Sequence, residues 1–380
     1  MSEINQMSAS IVLHSARALA GYAASELFES RPELREGLEP GAFGRWQNLL
    51  VQCLEDLAAA LAVNRPHWFV EHVQWIKAVL RARGVEAGAL KSGLDCLSRV
   101  LVAELPPDSA TAAAGACQQA LRSLERETEV SSARPLPADS AYGRLAGSYL
   151  LALLEGDEIR ATRLILDAAE AGHPVADLCL KVLLPAQEES GRMWQEDEIN
   201  VAEEHFATAT TKRIMSQLRS RARMGAPNGK TLLASAVAGN HHDVGLQAVA
   251  DFFEMDGWRA IQLGSDVPVR DLVEAVEFYR ADLLGLSISL RTQVATLRQT
   301  IEAVRRTERG RAVKILVGGR SLTGASDLAA QYGADGYAAD PSQAVPMGNA
   351  LVGLGGEGRT GEEAPGKPDK PDDLGGRHKS

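Results

Sequence analysis

Aromatic side chains are scarce, at 5% of the 380 residues, and cysteine is scarcer. The four cysteines, Cys53, Cys96, Cys117 and Cys179, lie far apart and form no CxxC pair. That pattern gives no zinc signature and fits a reducing compartment. No apolar run reaches the ~20 residues needed to cross a bilayer. The N-terminus lacks a basic stretch followed by an apolar core, so no secretory leader is expected. A soluble cytoplasmic protein is the reading, with no membrane partner. Positive charge is in deficit, 40 Lys and Arg against 50 Asp and Glu, for a net charge of −10. This argues against nonspecific nucleic-acid binding. What the chain does have is apolar mass, 45% of its residues, enough for about two or three ordinary domains.

Residues 1–130 read as all-helical. Apolar positions recur at three- and four-residue spacing through 11–27, 46–63, 68–80 and 90–103, the period of a helix with one buried face. Trp68, His72 and Trp75 fall on one helical face, at i, i+4 and i+7. They form either a core stripe with one satisfied histidine in it or the wall of an aromatic pocket for a flat ligand. A proline-bearing linker, 131–140, follows. Helices over 145–154, 158–171, 175–187 and 199–218 then suggest a four-helix bundle within 141–222. Between 228 and 353 strands and helices alternate, with strands at 231–237, 259–263, 282–288, 313–317 and 335–338. Five strands with intervening helices imply a doubly wound parallel sheet with right-handed crossovers. The fold class is therefore α + α/β. The Gly-, Pro- and charge-rich stretch 354–380 is expected to be disordered.

Three motifs fall at strand ends, where open parallel sheets bind ligands. Asn240-His241-His242-Asp243-Val244-Gly245 follows the first strand, Ser287-Ile288-Ser289-Leu290 the third, and Gly318-Gly319 the fourth. A neutral imidazole at the first can meet a metal or cofactor. The plainer alternative caps the next helix with Asn240 or Asp243 and leaves the histidines in solvent. Ser287 reads equally well as a small core residue, and the glycine pair as an ordinary turn. Taken jointly and in this order, the three sites favour a ligand.

With those residues in view, the sheet segment resembles a cobalamin-binding domain, whose pattern is Asp-x-His-x-x-Gly, then Ser-x-Leu, then Gly-Gly. The resemblance implies that His242 is the lower axial ligand of cobalt. It further implies that the cofactor's dimethylbenzimidazole tail leaves cobalt and threads a channel past Ser287 and Gly318-Gly319, with Ser289 and Leu290 among the cofactor-binding residues. Two positions depart from the pattern: Asn240 replaces the acid that orients the histidine, and Ser289 replaces leucine, with Leu290 adjacent.

In the helical block, nine residues separate Trp194 from Glu204-His205. This spacing resembles the Trp-x9-Glu-His signature of light-sensing adenosylcobalamin proteins of the carotenoid-regulator type. By that resemblance Trp194, Glu204 and His205 line the upper corrin face around the adenosyl group. Gln195 stands where those repressors carry a histidine. No recognition-helix pattern precedes the block, so no direct DNA binding is expected. A helical module ahead of such a block is similar to photocobilins, which pair adenosylcobalamin with a bilin. Trp68, His72 and Trp75 thereby become candidate biliverdin contacts. The expected function is a light-responsive adenosylcobalamin photoreceptor, a sensor and not an enzyme. It would signal through its helical domains to a partner or a second copy. The alternative is a corrinoid protein carrying methyl groups for a methyltransferase system.

Overall fold

The structure, a computed structural model, describes residues 3–36, 41–126, 136 and 139–354. Most of the expected linker, and the tail beyond Leu354, lie outside the described residues. The N-terminal region is helical: α1 (Glu3–Ser30), α2 (Glu33–Glu36), α3 (Ala42–Ala62), α4 (Pro66–Ala82), α5 (Ala87–Glu104) and α6 (Pro107–Leu124). Leu27, Leu50, Leu54, Phe69, Leu94 and Leu97 are fully buried at its centre. Among the described residues no helix is long and apolar enough to cross a membrane.

The second block holds α7 (Ala141–Leu154), α8 (Glu158–Glu170), α9 (Val175–Leu178), α10 (Leu184–Gln195) and α11 (Val201–Arg219). A π turn over Cys179–Leu183 joins α9 to α10 without a break. Pro185 has no N–H for the carbonyl of Lys181, and the chain widens to the π pattern just before it. The helix expected to stop near 187 therefore runs on to Gln195. It ends where Asp197 turns left-handed, at φ 62. This extension puts Trp194 at a helix end.

The sheet domain runs β1 (Thr231–Val237), α12 (Val244–Met255), β2 (Arg259–Val267), α13 (Val269–Phe278), β3 (Leu283–Ser287), α14 (Val294–Arg305), α15 (Glu308–Ala312), β4 (Lys314–Gly318), α16 (Asp327–Gln331), β5 (Gly336–Ala338) and α17 (Pro341–Leu351). All strand pairs are parallel, in the order β2-β1-β3-β4-β5. That is the flavodoxin-like winding, with its switch point between β1 and β3. Six of the seven residues of β1 are buried, as both-face coverage demands. Leu232, Ala234 and Ala236 join one apolar cluster, while Leu233 and Val237 join another. The second cluster is continuous with the core of the N-terminal helices. The helical block rests on α12, since Ala248 and Phe252 belong to its cluster.

Register settles the placement of the motifs. Ala236 pairs with Ser287, and Ser287 with Gly318. Three strand ends thus form one row at the carboxyl edge of the sheet.

Candidate functional site

The first loop is built around Asn240, which is fully buried. Its Nδ2 donates to the Ser287 carbonyl at 3.0 Å, anchoring the end of β1 to the end of β3. Its Oδ1 accepts the His242 backbone N–H at 3.1 Å and lies 3.3 Å from His242 Nδ1. With the proton on Nδ1, Asn240 holds the ring, and the Nε2 lone pair meets no described residue. His241 and His242 are both exposed. Asn240 thus fills the orienting position of the missing acid, without its charge.

Asp243 stands at the N-cap of α12, but its side chain makes no capping bond. Both of its oxygens take Lys212 Nζ, at 2.9 and 2.7 Å. The helical block is thereby pinned beside His242. Val244 starts α12 and packs on that block. Gly245 is exposed, and a Cβ built there would meet nothing within 4 Å, so the loop is open above the first turn.

The second loop is closed by Gln293, a residue that sequence reasoning passed over. Its Oε1 accepts the N–H groups of Ser289 and Leu290 at 2.9 and 3.0 Å. Its Nε2 donates to the Gly239 carbonyl at 2.9 Å. One buried amide therefore ties the β3 loop to the β1 loop. Its place at the head of a helix was the available signal. Leu290 projects outward, 49% exposed.

The glycine pair has a packing cause of its own. A Cβ on Gly318 would lie 2.8 Å from the Ala338 carbonyl oxygen, and one on Gly319 only 2.0 Å from that of Ile288. Gly319 also has φ 110, where side chains are strained. The smallness read as a ligand slot is demanded first by neighbouring backbone.

In the helical block, Glu204 Oε1 accepts from Gln187 Nε2 at 3.2 Å and from Thr208 Oγ1 at 2.7 Å. Its Oε2 lies 2.8 Å from Nδ1 of His205, a side chain exposed at 74%. Trp194 is exposed at 39%. Glu204, Thr208 and Lys212 share one face of α11, and Glu204 stands ~12 Å along the axis from Lys212. Lys212 grips Asp243, so the face of α11 that carries Glu204 leads down to the loop of His242, and the candidate cleft is the space between them. Two open grooves of about 460 Å³ each lie elsewhere, along α8 and beside Trp258, and neither includes His242.

Trp68, His72 and Trp75 are not in this cleft. Trp68 is 3% exposed, with the guanidinium groups of Arg65 and Arg291 over its ring at 5.8 and 4.9 Å. The core-stripe alternative describes Trp68, and the face is packed where an aromatic pocket would be open. His72 is less satisfied than that alternative implied: Nδ1 lies 3.2 Å from Asp56 Oδ2, and buried Nε2 has no partner among the described residues. Burial, helped by the nearby Arg291 charge, pushes His72 down to about 4. Burial pushes Asp56 up to about 7.

Two family models match the chain, each described as a B12 binding domain, over residues 145–219 and 230–345. A corrinoid protein of Desulfitobacterium hafniense is 26% identical over 206 residues, covering 53% of this chain and 94% of the relative. Dimethylamine corrinoid protein 3 of Methanosarcina mazei is 30% identical over 141 residues, covering 37% of this chain and 80% of the relative. The monomethylamine corrinoid protein of Methanosarcina barkeri shares the fold, with a TM-score of 0.50 at 18% identity, over 56% of this chain and all of that one.

Proposed function

Because the chain belongs to the B12-binding corrinoid proteins, we propose that it holds a cobalamin between α11 and the carboxyl ends of β1, β3 and β4, with His242 Nε2 as the lower axial ligand. The observation that carries this is Asn240, buried, anchored to Ser287 and turned toward His242 Nδ1. A neutral imidazole oriented in this way suits cobalt. Among the described residues no three His, Cys, Asp or Glu side chains converge on a metal site. A metal at His242 must bring its other ligands, as a corrinoid does. The nucleotide tail would run past Ser287, Ser289, Leu290 and Gly318-Gly319.

The finer reading we adopt is an adenosylcobalamin light sensor. Its support is the set Trp194, Glu204 and His205, together with a tie from Gln195 to the N-terminal helices. Adenosylcobalamin, when bound, supplies a cobalt–carbon bond that light cleaves. Trp194 would cover the upper side, and Glu204, held by Gln187 and Thr208, would accept hydrogen bonds from ribose hydroxyls. Gln195 offers no imidazole there. The chain is a sensor in this proposal, and no catalytic residue is assigned. Biliverdin on the Trp68, His72 and Trp75 face is left out of it, because that face is packed.

The relatives favour a second reading for the corrinoid half, a carrier of methyl groups for a methyltransferase system, since two of them are named as methylamine corrinoid proteins. One experiment separates the two. Purified protein is loaded in darkness with adenosylcobalamin or methylcobalamin, and spectra are taken before and after green light. The sensor keeps adenosylcobalamin and changes its spectrum. Preferential uptake of methylcobalamin, with no light effect on the adenosyl form, makes the protein a carrier. A colourless protein in both cases removes cobalamin altogether.

A further inference from the structure

Helix α4 touches both walls of the cleft, each time at the residue next to a motif. On the sheet side Arg291 directly follows Leu290. Its guanidinium pairs with Glu71, donates to the Trp68 carbonyl at 3.1 Å and lies 4.9 Å from the centre of the Trp68 ring. On the cap side Gln195 directly follows Trp194. Its Oε1 accepts the Trp75 indole N–H at 3.1 Å. Farther along, Arg83 lies 3.6 Å from Asp197, in the turn between α10 and α11. From Trp68 to Arg83 the helix rises ~22 Å, so one rigid element spans the gap between the walls.

The parts joined to it are themselves stiff. Arg192 ties Glu189, Glu196 and Glu198 together at the end of α10, so Gln195 and Trp194 move with that corner. Trp75 is half-buried and lies 5.6 Å from the His72 ring, which is held by Asp56 on α3. Its indole is therefore placed from inside the N-terminal core.

We propose that Trp75 is a positioning residue for the upper wall of the cleft: its N–H fixes Gln195, and with it Trp194, so that α4 couples the spacing of cap and sheet to the N-terminal helices. The proposal takes from the corrinoid reading only what fills the cleft. Coupling of this kind runs both ways, so an occupant of the cleft must also change α4.

Amide hydrogen exchange on the full chain tests it. Without corrinoid, Trp75→Phe keeps an aromatic ring but loses the donor. Exchange over 193–200 should rise roughly five-fold, the effect of one net hydrogen bond, while α5 stays unchanged. Gln195→Met removes the acceptor and should do the same, which covers a Trp75 variant that folds poorly. Unchanged exchange over 193–200 in both variants overturns the positioning role. Hydroxocobalamin added to the wild type should slow exchange over 66–82, and less so in Trp75→Phe. Uptake of hydroxocobalamin with no change in α4 overturns the coupling. A chain that takes up none sinks the corrinoid reading instead, and the corrinoid-free exchange alone decides the positioning role.

Discussion

A single buried amide does two jobs at this site. Asn240 joins β1 to β3 through one of its atoms and aims His242 with the other. In the sequence His242 stands out by its place after an apolar strand, and Asn240 reads as a lost charge. In the structure the uncharged Asn240 Oδ1 still lies 3.3 Å from His242 Nδ1. Lys212 is not legible in the sequence, because its partner Asp243 lies far off and no periodicity marks the pair; Gln293 shows only its place at the head of a helix, and its tie to distant Gly239 needs the fold. Away from the cleft, the buried pair of His72 and Asp56 sets a pH dependence. His72 is ordinarily protonated below 6.5 but in the fold only below about 4. The unfolded chain binds that proton first, so this group removes stability as pH falls from 6.5 toward 4. Asp56 is shifted from 3.8 up to about 7. The folded chain keeps its proton longer, so its contribution is lost as pH rises through that window. The two slopes oppose each other. Asp56→Asn removes one of them, and its thermal midpoint should fall more steeply than the wild type's between pH 6.5 and 4. Parallel slopes would contradict the assignment.

At the scale of elements, the sheet was readable and its edges were not. Strand β2 continues to Val267, past the expected stop at 263. Gly264 and Asp266 both have positive φ, and the pairing with β1 shifts register there. A sequence that looks like a turn is a bulged edge strand. The longer α10 has the same kind of cause, a π turn that absorbs Pro185. The glycine pair, read as a ligand slot, is required by packing. Gly319→Ala should destabilise the domain by about 2–4 kcal/mol, because its Cβ would enter the Ile288 carbonyl. Thermal or denaturant unfolding checks this, and a change below about 0.5 kcal/mol would mean that the β3–β4 edge yields.

On the scale of the whole molecule, three helical or mixed units share a chain but not a single logic. The cap and sheet carry the motifs, and each matches a B12 binding domain. The N-terminal helices carry no motif, yet their core is continuous with one face of the sheet. Their helix α4 meets Arg291 and Gln195. Helical periodicity reports which face of α4 is buried, not what buries it, so Trp75 read as core or pocket wall and turned out to be a contact between units. Whatever fills the cleft can reach the rest of the protein through α4, and the account of what fills it rests on His242 holding cobalt.

That claim has a direct test. Protein grown with heavy-nitrogen histidine is loaded with cobalamin in its paramagnetic cobalt(II) form, and the electron paramagnetic resonance spectrum is recorded. A histidine ligand predicts that each cobalt line, split as a triplet in ordinary protein, becomes a doublet in the labelled one, and that His242→Ala loses this isotope effect. Triplets unchanged by the label would show the cofactor's own base still bound, and would contradict the account.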